Sequence, residues 1–404
     1  MTAADAVVVG AGPAGAAAAI TLARGGRRVT MVDKATFPRD KICGDGLTTG
    51  ALRLLEDLGL RPDAVPSWQR VDDILVRGPA GHEVTFPLPR GRGTYAAVAR
   101  RTDLDAALVD VARDAGVTVL EGRACTGARE DGDGVVVEVE GRGPIEAGFT
   151  VAADGMWSPV RKHLGLATPG YRGEWHAFRQ YFRGVGPRAA RDLVVWFEPD
   201  LLPGYAWSFP LPDGRANVGF GIQRGGKVAR IQDMAGIWRE LVDRPHIRAV
   251  LGEGAEAESP HRAWPIPARI DEAVLTGRRT LFVGDAATAS DPLTGEGIGQ
   301  ALLTGVLAAE AIAGEGPDPA GVTAAYRSAA TAALVADHRM SLLLIRAVRH
   351  RKGVRAGMRL AGATRWTRRN FARWLFEDYP RAAVVTPRRW RRGMFSGPGA
   401  WAAG

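Results

Sequence analysis

Residues 6–33 read AVVVGAGPAGAAAAITLARGGRRVTMVD, and this stretch decides how the rest of the chain can fold. The apolar run that opens it and the β-branched run that closes it each predict a short buried strand. Between them Gly10, Gly12 and Gly15 form a G-x-G-x-x-G turn that leads into a helix of small residues. A strand, a glycine turn, a helix and a second strand that ends on Asp33 together predict a dinucleotide-binding βαβ unit.

Each glycine of the turn has its own physical role. Gly10 makes the tight turn, Gly12 lets a pyrophosphate approach the backbone, and Gly15 lets the helix pack closely on the strand. Unpaired N–H groups at the helix start attract phosphate, and Asp33 would accept hydrogen bonds from a ribose. The alternative is a glycine-rich turn in an ordinary α/β unit. The residues of this unit that we expect to bind a cofactor are Gly10, Gly12, Pro13, Ala14, Gly15, Asp33 and Lys34.

The composition is ordinary for a soluble globular protein. The chain has 404 residues, 46% hydrophobic and 24% charged, which is enough for two or three domains. Cys43 and Cys125 are its two cysteines, too few for a disulfide framework or a metal-ligand cluster, so we expect no metal and a reducing, cytoplasmic location. The N-terminal apolar stretch lacks a basic n-region and carries the nucleotide fingerprint, so we expect no signal peptide. Since no run of about eighteen uncharged apolar residues occurs elsewhere, we also expect no transmembrane helix.

Two kinds of segment alternate along the rest of the chain. Strands that end on an acid recur at 149–155 and 281–285, and aromatic strands between 171 and 260 indicate an antiparallel sheet. We also expect Thr102 or Asp103 to cap a helix. The expected fold is α/β (α+β overall), a Rossmann-type domain interleaved with an antiparallel-sheet domain. The predicted division is 1–70, 98–170 and 272–318 for the discontinuous nucleotide-binding domain, 71–97 and 171–271 for the substrate domain, and 319–404 for basic C-terminal helices.

Three later motifs resemble, in order, those of the para-hydroxybenzoate hydroxylase-like flavoproteins. The motif residues are Arg101, Asp154, Gly155, Gly284 and Asp285. The resemblance implies FAD as the cofactor, with its pyrophosphate on the glycine turn and near Asp154 and Gly155, a pair linked to NAD(P)H use. Asp285 would contact the ribityl or pyrophosphate region, and Arg101 would border the flavin. The alternative for Asp154 and Asp285 is that each is a strand-end acid that caps a helix.

Narrower motifs are similar to those of the geranylgeranyl reductase family. FPRDKICGDGLT at 37–48 places Cys43 in a K-x-C-G-[DE]-G pattern, and PGYAWSFP at 203–210 matches P-x-Y-x-W-x-F-P. GDAATASDPLTGEGIG at 284–299 resembles the family's segment beside the flavin. The residues that would shape the flavin surroundings are Gly44, Pro292, Gly295, Gly297 and Ile298. Family members reduce isolated double bonds in prenyl chains of chlorophyll precursors, archaeal lipids or menaquinone.

The resemblance implies an FAD-dependent reductase of a hydrophobic small molecule, a polyprenyl lipid or quinone. NAD(P)H or reduced ferredoxin would supply the electrons. Saturating an isolated double bond needs a hydride from reduced flavin and a proton delivered together to a dehydrated, oriented alkene. Tyr205 and Trp207 lie two positions apart in a strand, so they share a face with Phe209 that would exclude water. Cys43 could donate the proton or gate the site. The alternatives are that the three aromatic side chains are core residues of the sheet, and that Cys43 is a small buried hydrophobic residue.

Two other flavin chemistries are alternatives. A monooxygenase, a hydroxylase or epoxidase acting on a secondary metabolite, would use the same fold with few obligatory side chains. A flavin-dependent halogenase would need a lysine in the strands at 71–100, and none of the five lysines lies there.

The net charge of +9 is concentrated near the end of the sequence. From residue 331 onward 16 Arg and Lys oppose 3 Asp and Glu, a net charge of +13, so residues 1–330 carry −4. Arginines interleave with Trp366, Phe371, Trp374 and Leu375, which suits a helix that lies on an anionic membrane. The same pattern could bind nucleic acid, which we disfavour because a prenyl substrate resides in a membrane. The third interpretation is helices packed on the catalytic body.

Overall fold

The computed structural model describes residues 4–90, 93–225, 233–390 and 394. Its strands are β1 (Ala4–Val9), β2 (Val29–Val32), β3 (Gly46–Thr48), β4 (Gln69–Arg70), β5 (Asp73–Arg77), β6 (Glu83–Pro87), β7 (Ala96–Val98), β8 (Thr118–Leu120), β9 (Cys125–Glu130), β10 (Val135–Val139), β11 (Gly143–Ala152), β12 (Trp175–Arg183), β13 (Leu193–Trp196), β14 (Tyr205–Leu211), β15 (Arg215–Gln223), β16 (Glu256–Ala257), β17 (Arg262–Ile266) and β18 (Thr280–Phe282). Its α-helices are α1 (Pro13–Arg24), α2 (Thr49–Asp57), α3 (Arg101–Asp114), α4 (Pro159–His163), α5 (Met234–Val242), α6 (Pro245–Leu251), α7 (Ile298–Gly314), α8 (Pro319–Ala330), α9 (Ala336–Val348), α10 (Arg351–Gly362) and α11 (Arg365–Leu375).

Seven of the described strands form the sheet that carries the glycine turn. Strands β8, β2, β1, β11 and β18 lie side by side and run parallel. Parallel strands end at the same edge of a sheet. The chain therefore leaves this edge towards Gly10, Asp33, Asp154 and Asp285. The predicted buried strands that end on acids are confirmed.

Strand β11 joins the parallel part of this sheet to an antiparallel part. Along the edge opposite β1, residues 143–147 pair antiparallel with β10, and residues 150–152 pair parallel with β18. The hairpin β9–β10 thus extends the sheet away from the end that carries the acids.

Small residues let helix α1 lie directly on the strands and let α7 lie directly on α1. A Cβ on Gly15 would sit 1.8 Å from the Gly10 carbonyl oxygen. A Cβ on Gly305 of α7 would sit 2.2 Å from the Ala14 carbonyl oxygen. No side chain fits at either position, so glycine sets the depth of this packing.

A second sheet carries the aromatic strands in the order β16-β12-β15-β14-β13-β5-β6, with β17 also paired to β12. The predicted antiparallel sheet is confirmed, although β5 and β13 pair in parallel. Helices α5 and α6 were not predicted. Trp238 of α5 packs on Phe178 and Phe220 of this sheet, with ring centroids 5.5 and 6.2 Å away. The division into domains remains a proposal.

A small third sheet, β3-β7-β4, was also not predicted, and it connects the region of Cys43 to helix α3. Strand β3 begins three residues after Cys43 and pairs with β7 up to Val98. Beyond the strands, the Ala99 N–H donates to the Asp45 carbonyl oxygen at 3.0 Å. The segment around Asp45 and the segment around Ala99 are therefore held next to each other.

The predicted capping of α3 is wrong. The helix begins at Arg101, and Arg100 at the N-cap makes no side-chain capping bond. Thr102 and Asp103 lie inside the first turn, and the Asp103 carboxylate accepts a hydrogen bond of 3.1 Å from the Ser67 N–H instead.

The predicted C-terminal helices are present, but their aromatic residues mostly face inward. Phe371 packs on Phe86 of β6 at 4.7 Å and on Trp374 at 5.6 Å, and Leu375 contacts the same apolar cluster. These three side chains pack on the body, as the third interpretation proposed, whereas Trp366 is 57% exposed, and the membrane contact stays a prediction. None of the helices in the described part of the chain combines the length and apolar character that crossing a bilayer requires.

Candidate functional site

The glycine turn leaves the first N–H groups of α1 without a side-chain cap. Gly10 has a φ of +101°, and a Cβ there would sit 2.3 Å from a carbonyl oxygen at the end of β11, so only glycine fits. Gly12 is the N-cap of α1 and Pro13 is its first residue. The N–H groups of Ala14 and Gly15 have no intrahelical acceptor, so they are available to an anion.

Two arginines face this turn. The atoms nearest to a Cβ built on Gly12 are nitrogens of Arg39, at 3.4 Å, and Arg101, at 3.8 Å. Arg101 makes two hydrogen bonds of 2.7 Å to Asp105, and Arg39 Nη1 lies 2.9 Å from the same carboxylate, buried but without a hydrogen bond. Two cations on one carboxylate leave a net positive charge that fits a diphosphate. Arg39 was not predicted, because in the sequence it is marked only as a basic residue in the loop after β2.

Asp33 holds the glycine turn in place. Its carboxylate accepts the Ala11 N–H at 2.7 Å and the Ala35 N–H at 2.8 Å, and the residue is buried. Its place at the end of β2 agrees with the predicted ribose contact, which stays a prediction. Lys34 is exposed beside it.

Asp154 has one occupied and one free carboxylate oxygen. Its Oδ2 accepts the Val160 N–H of the first turn of α4 at 2.9 Å, and Ser158 is the N-cap of that helix, so the alternative interpretation of Asp154 as a capping acid holds only in part. Its Oδ1 is buried without a partner. Burial raises the pKa of Asp154 to about 6. Gly155 follows with a φ of +82° and turns the chain away. The free oxygen is therefore compatible with a cofactor contact as well as with capping.

Asp285 lies at the end of β18 opposite a lysine. Lys41 Nζ is 3.5 Å from its carboxylate and 4.1 Å from the centre of the Trp264 ring. Burial lowers the pKa of Lys41. Gly284 has a φ of +58°, and a Cβ there would sit 3.0 Å from the Ala14 side chain, so this turn also packs on α1. Lys41 was not among the predicted site residues.

The cysteine loop, residues 41–46, lies on the aromatic strand β14. Cβ atoms on Gly44 and Gly46 would sit 3.3 and 3.2 Å from the Phe209 ring. Cys43 is a half-buried free thiol that accepts the Asp45 N–H at 3.3 Å. Burial raises the pKa of Cys43, so the group keeps its proton at neutral pH.

Asn217 of β15 connects this loop to the sheet. Its amide nitrogen donates to the Cys43 carbonyl oxygen at 2.9 Å and to the Asp45 carboxylate at 2.8 Å, and its amide oxygen accepts the Trp207 N–H at 3.1 Å. The Tyr181 hydroxyl donates to the same Asp45 oxygen at 2.6 Å. Burial raises the pKa of Asp45 to about 6. Asn217, Asp45 and Tyr181 were not predicted, since 172 positions separate Asp45 from Asn217.

The predicted shared face of Tyr205, Trp207 and Phe209 is present. Their ring centroids are 6.1 and 5.9 Å apart along β14. Trp207 is only 6% exposed, which favours its interpretation as a core residue that supports the cysteine loop. Tyr205 is half-buried, and its hydroxyl donates to the Thr294 carbonyl oxygen.

The wall loop, residues 291–298, completes this side of the site. Asp291 shapes it by accepting the N–H groups of Leu293 and Thr294 at 3.0 and 2.8 Å. Gly295, with a φ of +69°, would place a Cβ 3.8 Å from the Tyr205 hydroxyl. The loop passes the buried Pro292 and, after Gly297, starts α7 at Ile298 without a side-chain cap at Gly297.

Contacts join most of the predicted residues into one site. Arg101 faces Gly12, and its positive charge opposes the rise that burial causes in the pKa of the Cys43 thiol. From there the cysteine loop contacts β14, and Tyr205 contacts the wall loop. Lys34 is exposed, and no side-chain hydrogen bond or ion pair joins it to the part of the chain that the structure describes.

Comparison with known proteins agrees with this arrangement. A family described as "FAD binding domain" matches residues 3–318. The chain is 35% identical over 330 residues to the menaquinone reductase of Mycolicibacterium smegmatis, covering 76% of each chain. It is 32% identical over 317 residues to digeranylgeranylglycerophospholipid reductase 1 of Methanopyrus kandleri, covering 76% of this chain and 79% of that one.

A solved structure supports the fold. A geranylgeranyl bacteriochlorophyll reductase-like protein from Thermoplasma acidophilum superposes with a TM-score of 0.78 and 20% identity, over 96% of this chain and 100% of that one. The glycine turn and the arginines beside it agree with the family match and with the 76% of this chain that aligns with the relatives. These observations lead to one assignment. The chain belongs to the geranylgeranyl reductase family of FAD-binding oxidoreductases.

Proposed function

We propose that the protein is an FAD-dependent reductase that saturates isolated double bonds in the prenyl chain of a lipid or quinone. One observation carries the proposal: the cysteine loop, with a protonated thiol, lies between Arg101 of the phosphate-facing side and the aromatic face of β14. The names of the relatives, menaquinone reductase and digeranylgeranylglycerophospholipid reductase, support this substrate class.

Bound in its reduced form, FAD supplies the hydride. The residues around it would bind the cofactor and exclude water from the substrate. Arg39, Arg101 and the uncapped start of α1 would hold the diphosphate, and the rings of β14 and the wall loop would exclude water from the alkene. Cys43 holds a proton beside this aromatic face. NAD(P)H or reduced ferredoxin is the proposed electron donor.

Cys43 provides the first test. We expect Cys43→Ala to retain FAD but to lower turnover about 10²-fold or more, because general acid catalysis contributes on that order. The assay uses dithionite-reduced enzyme under anaerobic conditions with digeranylgeranylglycerophospholipid, or with menaquinone whose ring is reoxidised before mass spectrometry. Wild-type product should gain two hydrogens per reduced bond. Cys125→Ala, the other free cysteine, is the matched control.

A gain of oxygen with a strict oxygen requirement would instead establish a monooxygenase. Equal turnover of the Cys43→Ala and Cys125→Ala variants would show that Cys43 is not the proton donor.

FAD affinity should depend on Asp154. If this carboxyl lies beside the pyrophosphate, FAD binds better when it is neutral, so affinity should weaken about tenfold as the pH rises from 5 to 8 through the pKa of about 6. Asp154→Asn can still accept the Val160 N–H, and it should bind FAD equally at both pH values. Fluorescence titration of the apoprotein measures this. Asp110→Asn, exposed on α3, is the control and should keep the wild-type slope.

A peripheral membrane contact is proposed for helix α10 rather than for α11. Arg351, Arg355 and Arg359 are exposed along one side of α10, near Leu360, which is 74% exposed. We expect Arg355→Glu with Arg359→Glu to weaken binding to anionic vesicles at least about 30-fold, since each cation contributes about 1 kcal/mol. Co-sedimentation checks this, with the exposed Arg172→Glu as control. Unchanged binding of the double variant would exclude this surface.

A further inference from the structure

The back of the wall loop is the part of it that contacts residues after position 330, and Asp291 makes most of that contact. One oxygen of its carboxylate, Oδ1, accepts the N–H groups of Leu293 and Thr294 and also the Thr294 hydroxyl, the last at 2.9 Å. The other oxygen, Oδ2, accepts the Ser341 hydroxyl at 2.6 Å and lies 3.4 Å from Arg381 Nε. Asp291 therefore shapes the loop with one oxygen and attaches it to the C-terminal helices with the other.

Arg381 is the buried cation of this contact. Its side chain is 1% exposed, and besides its ion pair with Asp291 it donates from Nη2 to the Thr294 hydroxyl at 3.0 Å. The same nitrogen donates to the Glu377 carboxylate at 3.3 Å, and the other oxygen of Glu377 accepts the Thr48 hydroxyl at 3.3 Å, at the start of α2. Hydrogen bonds from a guanidinium are charge-assisted, so they fix the groups that accept them more firmly than neutral bonds would.

Ser341 and Arg381 are themselves fixed in place by the helices that carry them. Ser341 lies fully buried inside α9. Next to Arg381, the Ala382 N–H donates to the Asp337 carboxylate of α9 at 2.8 Å. The indole of Trp374 on α11 donates to the Arg381 carbonyl oxygen at 3.2 Å. The two helices thus form a support for the wall loop.

Thr294 connects this support to the aromatic face of β14. Its hydroxyl accepts a hydrogen bond from Arg381, and its carbonyl oxygen accepts the Tyr205 hydroxyl. The Tyr205 ring lies 6.1 Å from the Trp207 ring, between centroids, on the face predicted to exclude water. A single residue of the wall loop therefore joins the C-terminal helices to a side chain that the sequence predicts to be catalytic.

We infer that Ser341 and Arg381 are positioning residues, which hold the wall loop in the shape that places the Tyr205 hydroxyl for the reaction. This rests on the proposed reductase function. Each residue acts through Asp291 or Thr294. Both lie outside residues 3–318, the part of the chain that the FAD-binding family matches, so the C-terminal helices complete a site that is otherwise built from that part. A misplacement of about 1 Å in such a site can lower turnover about 10²-fold.

The first experiment needs no cofactor. Hydrogen exchange of the apoprotein, followed by mass spectrometry of peptides that cover 291–298, measures how readily the wall loop opens. Ser341→Ala removes a hydrogen bond to a carboxylate and introduces a good helix former, so exchange in these peptides should be at least about tenfold faster. Peptides of β15 should exchange as in wild type. Ser328→Ala, exposed on α8, is the matched control and should leave both regions unchanged.

Unchanged exchange in the wall loop of Ser341→Ala would overturn the inference. Equally faster exchange in β15 would also overturn it, because the hydroxyl would then stabilise the fold as a whole. Arg381→Met removes the ion pair with Asp291 and the hydrogen bond to Thr294 together, so its wall loop should exchange faster still, with the exposed Arg365→Met of α11 as control. If Arg381→Met does not fold, Ser341→Ala decides alone.

The second experiment measures turnover of digeranylgeranylglycerophospholipid by the holoenzyme with dithionite as reductant. Ser341→Ala should lower kcat about tenfold and leave KM near the wild-type value, because the support acts on the reacting geometry rather than on substrate binding. A double-mutant cycle with Tyr205→Phe tests the path. If Ser341 acts through Tyr205, the double variant should be about as slow as the slower single variant. Losses that multiply, or a Tyr205→Phe enzyme with wild-type kcat, would overturn this path.

The outcomes separate the positioning role from the proposed function. If wild-type enzyme does not add two hydrogens to either relative's substrate, the reductase function fails, and hydrogen exchange of the apoprotein still tests the support of the wall loop. If wild-type enzyme is active and Ser341→Ala keeps the wild-type kcat, the positioning role fails alone, whatever the exchange shows.

Discussion

Replacing Gly12 by alanine leaves the apoprotein folded and removes most of its affinity for FAD. The Cβ at Gly12 meets no atom nearer than 3.4 Å, at the flexible end of Arg39, so the protein itself accommodates it. The added methyl group would, however, occupy the space between uncapped N–H groups and two guanidiniums where a diphosphate must approach. We expect a loss of about 3 kcal/mol in binding, on the order of 100-fold in Kd.

The measurement pairs FAD titration of the apoprotein with its thermal unfolding. Gly15→Ala is the informative contrast, because its Cβ would sit 1.8 Å from the Gly10 carbonyl oxygen and the β1–α1 packing would break. That variant should lose its fold. Gly132→Ala has open space around it and should change neither property. Tight FAD binding by Gly12→Ala would show that the diphosphate lies elsewhere.

Arg373→Met should lower the free energy of unfolding by about 3–5 kcal/mol. Arg373 on α11 and Asp378 form an ion pair of 2.5 Å in which both side chains are fully buried. Removing the cation takes from the buried Asp378 carboxylate the positive charge that lies 2.5 Å from it. Replacing both residues by apolar ones should restore much of the loss, since the pair's own desolvation cost also disappears.

Denaturant unfolding at neutral pH measures this effect, with the exposed Arg365→Met on the same helix as control. The control should differ from wild type by less than about 0.5 kcal/mol. A loss of less than about 1 kcal/mol in Arg373→Met would mean that the C-terminal segment docks without help from this pair.

The parts of the fold that the sequence could predict are those in which the cause is local. The glycine turn needs its three glycines within six residues, and β2, β11 and β18 each lead within three residues to an acid, Asp33, Asp154 or Asp285. The antiparallel sheet has an alternation that a short window detects. The family motifs extend this local information to the positions of Arg101, Asp285 and the wall loop.

The unpredicted parts depend on contacts between distant residues. Asn217 stabilises the cysteine loop from a strand 172 positions away. Arg39 and Lys41 looked like ordinary loop cations until the fold placed them against Asp105 and Asp285. The predicted caps of α3 failed for a similar reason, because Asp103 found a partner in another segment.

The C-terminal helices show a different limit. Interleaved arginine and aromatic residues fit a membrane surface, a nucleic acid or an internal interface equally well, because all three offer apolar and polar partners. For α11 the packing of Phe371 on Phe86 favours the internal interface.

The bond between Thr48 and Glu377 also bears on how the protein is made. The two residues are 329 positions apart. At about 5–20 residues per second, synthesis takes about 15–65 s to travel from one to the other. During that interval the nascent chain already contains the glycine turn, while the contact behind the wall loop does not yet exist. The segment around the glycine turn can therefore begin to fold on the ribosome before the last helices pack on the body.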